Sequence, residues 1–293
     1  MVSTFELHNG ETTYSAHLMG IAESMNVAST SLPTGSYTTF RTYSGDRILR
    51  LAQHVQRLIE SAALLGMNGQ LHLEKVQAVL ATLLRQTGYS DSRFRLTFAP
   101  PRLFVSIEPF IPYPPGYYAD GVKCATVSQH RLNPHAKSTT FIASSGEAYK
   151  TIAPNGIHEG LMISLEGEVL EGLSSSFFAL ESADTESAAD SVSVRVLHTE
   201  QERALLGVTQ ALVLEIAKAV APAVHQSSQG IMLSALTHVS ECFITSVSRE
   251  IMPVVQIDDI VIGSGYPGPF TKALISGLAA LIAREAKSVF VVD

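Results

Sequence analysis

The sequence predicts a mixed α+β protein of two domains, a small α/β domain followed by a larger strand-rich one. Helical stripes of apolar residues mix with short strand-like runs over the first hundred residues, and strand composition dominates after about residue 122. Between them lies PFIPYPPG, residues 109–116, with four prolines and one glycine. Proline locks φ and removes a backbone donor, so this stretch reads as a stiff, extended linker. The expected division is a small domain over 1–108, a connector over 109–121 and a large domain over 122–293.

Residues 1–30 mix short alternating stretches with small polar residues and read as edge strands or a loop. Leu32-Pro33-Thr34-Gly35 is turn chemistry, 36–43 reads as a strand, Gly45-Asp46 as a tight turn, and 47–51 as a second strand or the entry to a helix. From Leu51 the period lengthens. Leu51, Val55, Leu58, Ile59, Ala62 and Leu65 share one helical face, which Gly66 stops, and a second helix covers 73–86 before Gly88. Residues 93–98 and 103–107 form a strand pair around Pro100-Pro101. Beyond the connector, strands are expected over 122–128, 161–165, 168–170, 177–180, 192–197, 242–246 and 251–257, with Glu166-Gly167 as a hairpin turn. Residues 181–191 are acidic and poor in large apolar side chains, so they read as a solvated loop. Helices are expected over 207–221, with Val208, Leu212, Val213, Ile216 and Val220 on one face, and over 269–286.

Composition narrows the function. Hydrophobic residues make up 46% and charged residues 16%, enough apolar material for a full core. The net charge of -7 and pI near 5.8 argue against a nucleic-acid partner. Cys124 and Cys242 have neither metal spacing nor a disulfide framework, and the ten histidines do not cluster, so no metal centre is expected and a reducing cytoplasm is the default. The N-terminus lacks a signal-peptide pattern, and no apolar run approaches the ~18–20 residues of a membrane helix, so no membrane partner is expected. Dinucleotide, Walker, HExxH and GxSxG motifs are absent.

The chemistry-bearing residues are few. Lys137 sits among small polar residues after the turn-rich Asn133-Pro134-His135, and Glu171 opens EGLSSSFF, residues 171–178. A lysine for a Schiff base and a carboxylate for a pyridinium nitrogen are what pyridoxal phosphate chemistry requires. His54 and Arg57 flank the first helical stripe, where Arg57 is either a solvent-facing charge or an anion clamp. Gly207-Val208-Thr209 opens a helix, either as a capping turn or as a phosphate site built from free helix-start amides. Thr245-Ser246-Val247-Ser248 ends a strand with hydroxyls and amides, either a simple turn or a second wall of the same anion site. Lys150 is the rival amine in this region, in a polar helical stretch that reads as solvated.

In order and spacing, these segments resemble the class IV, or fold type IV, pyridoxal phosphate enzymes, which include branched-chain and D-amino acid aminotransferases and aminodeoxychorismate lyases. The resemblance runs from about Leu32 to Lys272. It is carried by GSYTTFR at 35–41, HVQRL at 54–58, Lys137, the Glu171-Gly172 segment, LGVT at 206–209, TSVSREIMPV at 245–254 and GPFTK at 268–272. It implies the two-domain α+β fold of that family, pyridoxal 5′-phosphate as cofactor, and Lys137 as the Schiff-base and proton-shuttling lysine. Glu171 would pair with the pyridine nitrogen, and Arg57, Val208, Thr209, Ser246 and Val247 would hold the phosphate. Tyr37, Arg41, Arg95 and Arg102 become candidates for substrate contact, with Arg93 beside them. The implied activity is transfer of an amino group from an amino acid to a 2-oxo acid. The implied partners are those small molecules and a second copy of the chain, since relatives complete the site with a partner loop. Three positions depart from the pattern. Ile142 stands where many relatives carry a tyrosine, Ser176 where an asparagine is usual, and Val247 where branched-chain relatives carry a threonine. Tyr37-Thr38-Thr39 is nearer to some lyases, which keeps β-elimination to 4-aminobenzoate and pyruvate as the alternative reaction. The three departures also keep open a non-catalytic, cofactor-binding relative.

Overall fold

The computed structural model describes residues 1–11, 13–183, 193–199, 203–205, 207–220, 224–227 and 230–290. The chain divides into two compact units. The first comprises Met1–Pro112, Ala136–Ala143 and Leu281–Asp293, and the second Tyr113–His135 and Ser144–Ala280. The first crossing, at Pro112, falls inside the proline-rich connector. The segments Ala136–Ala143 and Leu281–Asp293 return to the first unit, so the large domain is not the continuous run 122–293 that the sequence predicts.

Backbone pairing explains both returns. The Tyr37 N–H donates to the Lys137 carbonyl at 2.8 Å and the Thr139 N–H to the Gly35 carbonyl at 2.9 Å, closing an antiparallel bridge between Ser36 and Ser138. At the far end, Lys287–Ser288 pairs with Arg47–Ile48. Pairings across a hundred or more residues leave no trace in local periodicity.

The first unit is built on a seven-stranded sheet in the order Lys287–Ser288, Arg47–Ile48, Ser36–Tyr43, Ser92–Ala99, Arg102–Pro109, Val2–Asn9, Tyr14–Ala22. Residues 1–30 resolve into a strand hairpin and a short helix, Met25–Thr30, whose Ser24 cap accepts the Val27 N–H at 3.2 Å. Helix Leu51–Leu64 buries His54, Val55, Leu58, Ser61 and Ala62, so three residues of the predicted face are buried with two polar residues beside them, while Leu51, Ile59 and Leu65 are half-buried. Its end is closed by Gly66, at φ 75°, and by the Met67 N–H on the Ala62 carbonyl. Helix Leu73–Thr87 ends at Gly88, also left-handed.

The second unit holds a ten-stranded sheet. Its path runs Val224–Ser227, Ser193–His198, Ser176–Ala183, Glu241–Ser246, Glu250–Ile257, Val122–Val127, Glu159–Ile163, Glu168–Gly172, Ile231–Met232, with Ile260–Val261 paired to Glu250–Ile257. Val122, Leu161, Phe177, Ile244 and Val254 form the centre of its core, together with Cys124 and Cys242. Both cysteines are buried free thiols, and burial pushes both pKa values up, which keeps them protonated. Residues 181–183 of the expected acidic loop belong to strand Ser176–Ala183, and 184–191 lie outside the described residues. Strand Glu159–Ile163 starts two residues earlier than expected, which brings Glu159 into the sheet. Among the described residues no helix is long and apolar enough to cross a membrane.

Gly35 stands where the strand Ser36–Tyr43 begins and the Lys137 segment attaches. A Cβ there would lie 2.3 Å from the Phe98 carbonyl oxygen. Gly35→Ala is expected to cost about 1–3 kcal/mol, the range for overpacking, read as a lowered midpoint in urea unfolding.

Candidate active site

In the first unit the strand Ser36–Tyr43, the helix Leu51–Leu64 and the attached Lys137 segment bring one charged cluster together. The Lys137 N–H donates to the Ser61 hydroxyl at 3.2 Å, so the segment is anchored to the helix as well as to the strand. Lys137 Nζ lies 4.7 Å from the centroid of the buried Tyr37 ring, and the Arg95 guanidinium lies 5.1 Å from the same ring. An aromatic face tolerates a desolvated cation through its quadrupole. Arg57 Nη2 donates to Thr38 Oγ1 at 2.9 Å, and His54 Nδ1 meets the same oxygen at 3.0 Å. Arg57 is thereby fixed from the strand. Burial lowers its pKa to about 10, with Tyr37 and Glu60 opposing the fall, so it remains a cation at neutral pH.

His54 is 2% exposed. Burial first, then the charges of Arg57 and Lys137, hold its pKa well below the ordinary value of 6.5, so the imidazole is neutral at neutral pH. A neutral ring beside two cations adds no repulsion to the cluster and still bonds Thr38.

The substrate candidates divide. Tyr37 belongs to the Lys137 cluster. Arg95 bonds Met25, Asn26, Ser29 and Thr39 with its guanidinium, and burial lowers its pKa to about 10. Arg41 is sandwiched between the rings of Tyr43, at 4.1 Å, and Phe110, at 4.0 Å. Arg102 is exposed and forms a two-pronged ion pair with Glu6 at 2.7 and 3.0 Å. Arg93 pairs with Glu108. Ile142 is a buried side chain at the foot of helix Thr140–Ile152.

In the second unit Glu171 is 3% exposed at the end of strand Glu168–Gly172. Arg131 Nε donates to Oε1 at 2.7 Å, and the Leu205 N–H donates to Oε2 at 3.4 Å. The carboxylate is thus held from two sides. Arg131, which pairs with Glu171, is a residue that the sequence does not mark, since its only signal is a single arginine in the turn-rich approach to Lys137. Helix Val208–Val220 opens shortly after Leu205 in the chain. The Gly207 N–H before it is capped by Gln210 Oε1 at 3.2 Å, and Val208 and Thr209 are buried in its first turn. Leu206 lies outside the described residues. Ser246 ends strand Glu241–Ser246, its hydroxyl accepting the Arg249 N–H at 3.3 Å across the turn that contains Val247. Lys150 is exposed and paired with Glu147 at 2.6 Å, as its solvated reading requires.

The class IV amino-transferase family matches residues 35–257, which contain Tyr37, Arg57, Lys137, Glu171 and Ser246. The chain belongs to the class IV aminotransferases. A Methanocaldococcus jannaschii protein provisionally named a branched-chain-amino-acid aminotransferase is 28% identical over 82% of this class IV chain and 84% of its own. The D-alanine aminotransferase of Bacillus licheniformis is 26% identical over 87% and 90%. Among solved structures, the branched-chain amino acid aminotransferase of T.th. in complex with N-(5′-phosphopyridoxyl)-L-glutamate superposes with a TM-score of 0.77. It shares 22% identity and covers 98% of this chain and 99% of that one, a likeness of fold. The mixed α+β architecture is thus the family's.

The His54 environment carries a pH signature for this class IV chain. Between the lowered folded pKa and 6.5, the unfolded chain binds a proton that the folded chain refuses. Stability is therefore complete above about pH 6.5 and falls below it, by up to about 1.4 kcal/mol per pH unit from this group. His54→Gln is expected to flatten that part of the curve, measured as unfolding free energy between pH 5 and 8.

Proposed function

We propose that this class IV chain is a pyridoxal 5′-phosphate-dependent aminotransferase moving an amino group from an amino acid to a 2-oxo acid, with Lys137 as its essential amine. The observation that carries the reading is the Lys137 cluster, an amine held against Tyr37 in company with a fixed, half-buried Arg57. The donor chemistry fits the cofactor: an amine, a buried carboxylate, a guanidinium, a helix start and a hydroxyl-bearing turn.

When bound, pyridoxal phosphate supplies an aldehyde that amines attack and a ring that withdraws electrons from the substrate carbon. Lys137 Nζ provides the amine and afterwards holds the proton that leaves the substrate carbon. Glu171, kept company by Arg131, favours a protonated ring nitrogen through its negative charge. Arg57, the amides of Val208 and Thr209, and Ser246 with the Val247 amide are the groups that would hold the phosphate. Ile142 carries no hydroxyl, so the ring oxygen takes its support from another group. The same reading makes the working form a cytoplasmic homodimer.

Substrate choice stays at the level of amino acids. The relatives' names span branched-chain amino acids and D-alanine, so a panel of D- and L-amino acids, followed by single-turnover absorbance, is the discriminating screen. Consumption of a 2-oxo acid acceptor is expected. Release of pyruvate without any acceptor would favour β-elimination instead.

Two variants test the assignment. Lys137→Ala is expected to lose the visible absorbance that develops when wild-type protein is mixed with pyridoxal phosphate, and persistence of that band would remove Lys137 from its role. Arg57→Ala is expected to weaken cofactor binding about 10- to 100-fold, from about 1.5–3 kcal/mol for a hydrogen bond to a charged group, read by cofactor titration.

A further inference from the structure

The second unit contains a buried charge pair that none of the assigned roles uses. Glu159 is fully buried and Arg249 is 8% exposed. Arg249 Nη1 lies 3.2 Å from Glu159 Oε2 and donates to the Ser174 hydroxyl at 2.7 Å, while Nη2 reaches the Tyr149 hydroxyl at 3.5 Å. Tyr149 donates to Glu159 Oε1, and its hydroxyl meets that of Ser174 at 2.7 Å. Ser174 and Ser175 both donate to Glu159 Oε2 at 3.0 Å, and the Gly160 N–H donates to Oε1 at 3.1 Å. The Arg249 guanidinium also lies over the Tyr113 ring at 5.8 Å. One negative and one positive charge are thus enclosed and hydrogen-bonded, as buried charges must be.

The location of this network gives it a task. Strand Glu168–Gly172 carries Glu171, and three strands separate it from Glu241–Ser246 along the sheet. The chain leaves Glu168–Gly172 through residues 173–175 and re-enters the sheet beside Glu241–Ser246, because Ser176 pairs with Thr245. Glu159 fills the inside of that turn. A Cβ on Gly172 would lie 2.9 Å from Glu159 Cγ and 2.1 Å from Ser175 Oγ. At the other side, the Arg249 N–H bonds Ser246, so its side chain and main chain join the Ser174 turn to the Ser246–Val247 turn.

We propose that Glu159, Arg249 and Tyr149 are positioning residues, a brace that sets Glu171 and the Ser246–Val247 turn for the cofactor. The proposal rests on the pyridoxal phosphate reading. A guanidinium reaches three oxygens at once because its donors form a planar fork, which a lysine lacks. Burial and the neighbouring Glu159 raise the Tyr149 pKa, so its hydroxyl stays a donor to the carboxylate.

The test measures two quantities on cofactor-free protein, the thermal midpoint and the dissociation constant for added pyridoxal phosphate by absorbance. Tyr149→Phe removes one hydroxyl and is expected to weaken binding about 10-fold, the lower end for loss of an outer-shell partner, with little change in midpoint. Arg249→Met leaves Glu159 uncompensated and lowers the midpoint. The double variant Glu159→Gln with Arg249→Met removes both charges and should recover the midpoint while binding stays weak. Binding that recovers together with the midpoint, or that is unchanged in Tyr149→Phe, would show an ordinary structural pair and overturn the brace alone. Wild-type protein that never binds pyridoxal phosphate overturns the underlying reading and the brace with it.

Discussion

Two backbone hydrogen bonds, Tyr37 N–H to the Lys137 carbonyl and Thr139 N–H to the Gly35 carbonyl, join a segment from the middle of the chain to the start of strand Ser36–Tyr43. The Ser61 hydroxyl adds a third attachment. Lys137 is thereby held at a strand start, next to the residues that Ser36–Tyr43 and Leu51–Leu64 present. Tyr37, Thr38, His54 and Arg57 acquire a common meaning only because this junction brings an amine to them. Gly35 permits the close backbone approach that the junction needs, since a side chain would meet the Phe98 carbonyl.

Both units hold charge under cover, and each does so by a different physical route. The first unit gathers cations. It tolerates them with an aromatic face at Tyr37, a neutral His54 and a hydroxyl at Thr38, and burial takes part of the basicity of Arg57. The second unit pairs its charges, Arg131 with Glu171 and Arg249 with Glu159. Buried pairs contribute little net stability when desolvation is counted, yet breaking one is costly. Each pair also fixes its surroundings, Arg131 bonding the Glu171 carboxylate and Arg249 bonding both Ser174 and Ser246.

Much of the fold was legible in the sequence because local periodicity is a short-range signal. Val55, Leu58 and Ala62 fall on one helical face and are buried on it. The strand pairs around Pro100-Pro101 and the Glu250–Ile257 strand with its partner follow from composition and turn residues. The candidate site was legible at Lys137, Glu171 and Arg57 because their order and spacing resemble a family's. Arg131 was not, since a lone arginine near turns has no distinguishing pattern. Glu159 was missed because it was placed outside a strand, and Arg249 because nothing local marks an arginine that turns inward.

By itself the sequence determined most of the helices and strands, the break at the proline run and, through its likeness to a family, a set of candidate residues. Those properties depend on side-chain type and near-neighbour spacing. Tertiary structure decided which unit Lys137 belongs to, which arginines are committed to Glu6, Glu108 and the Met25–Thr30 helix, and which charges are buried against one another. Each of those outcomes is a contact between residues from 15 to more than a hundred positions apart, and desolvation acts on a side chain only once such contacts have formed.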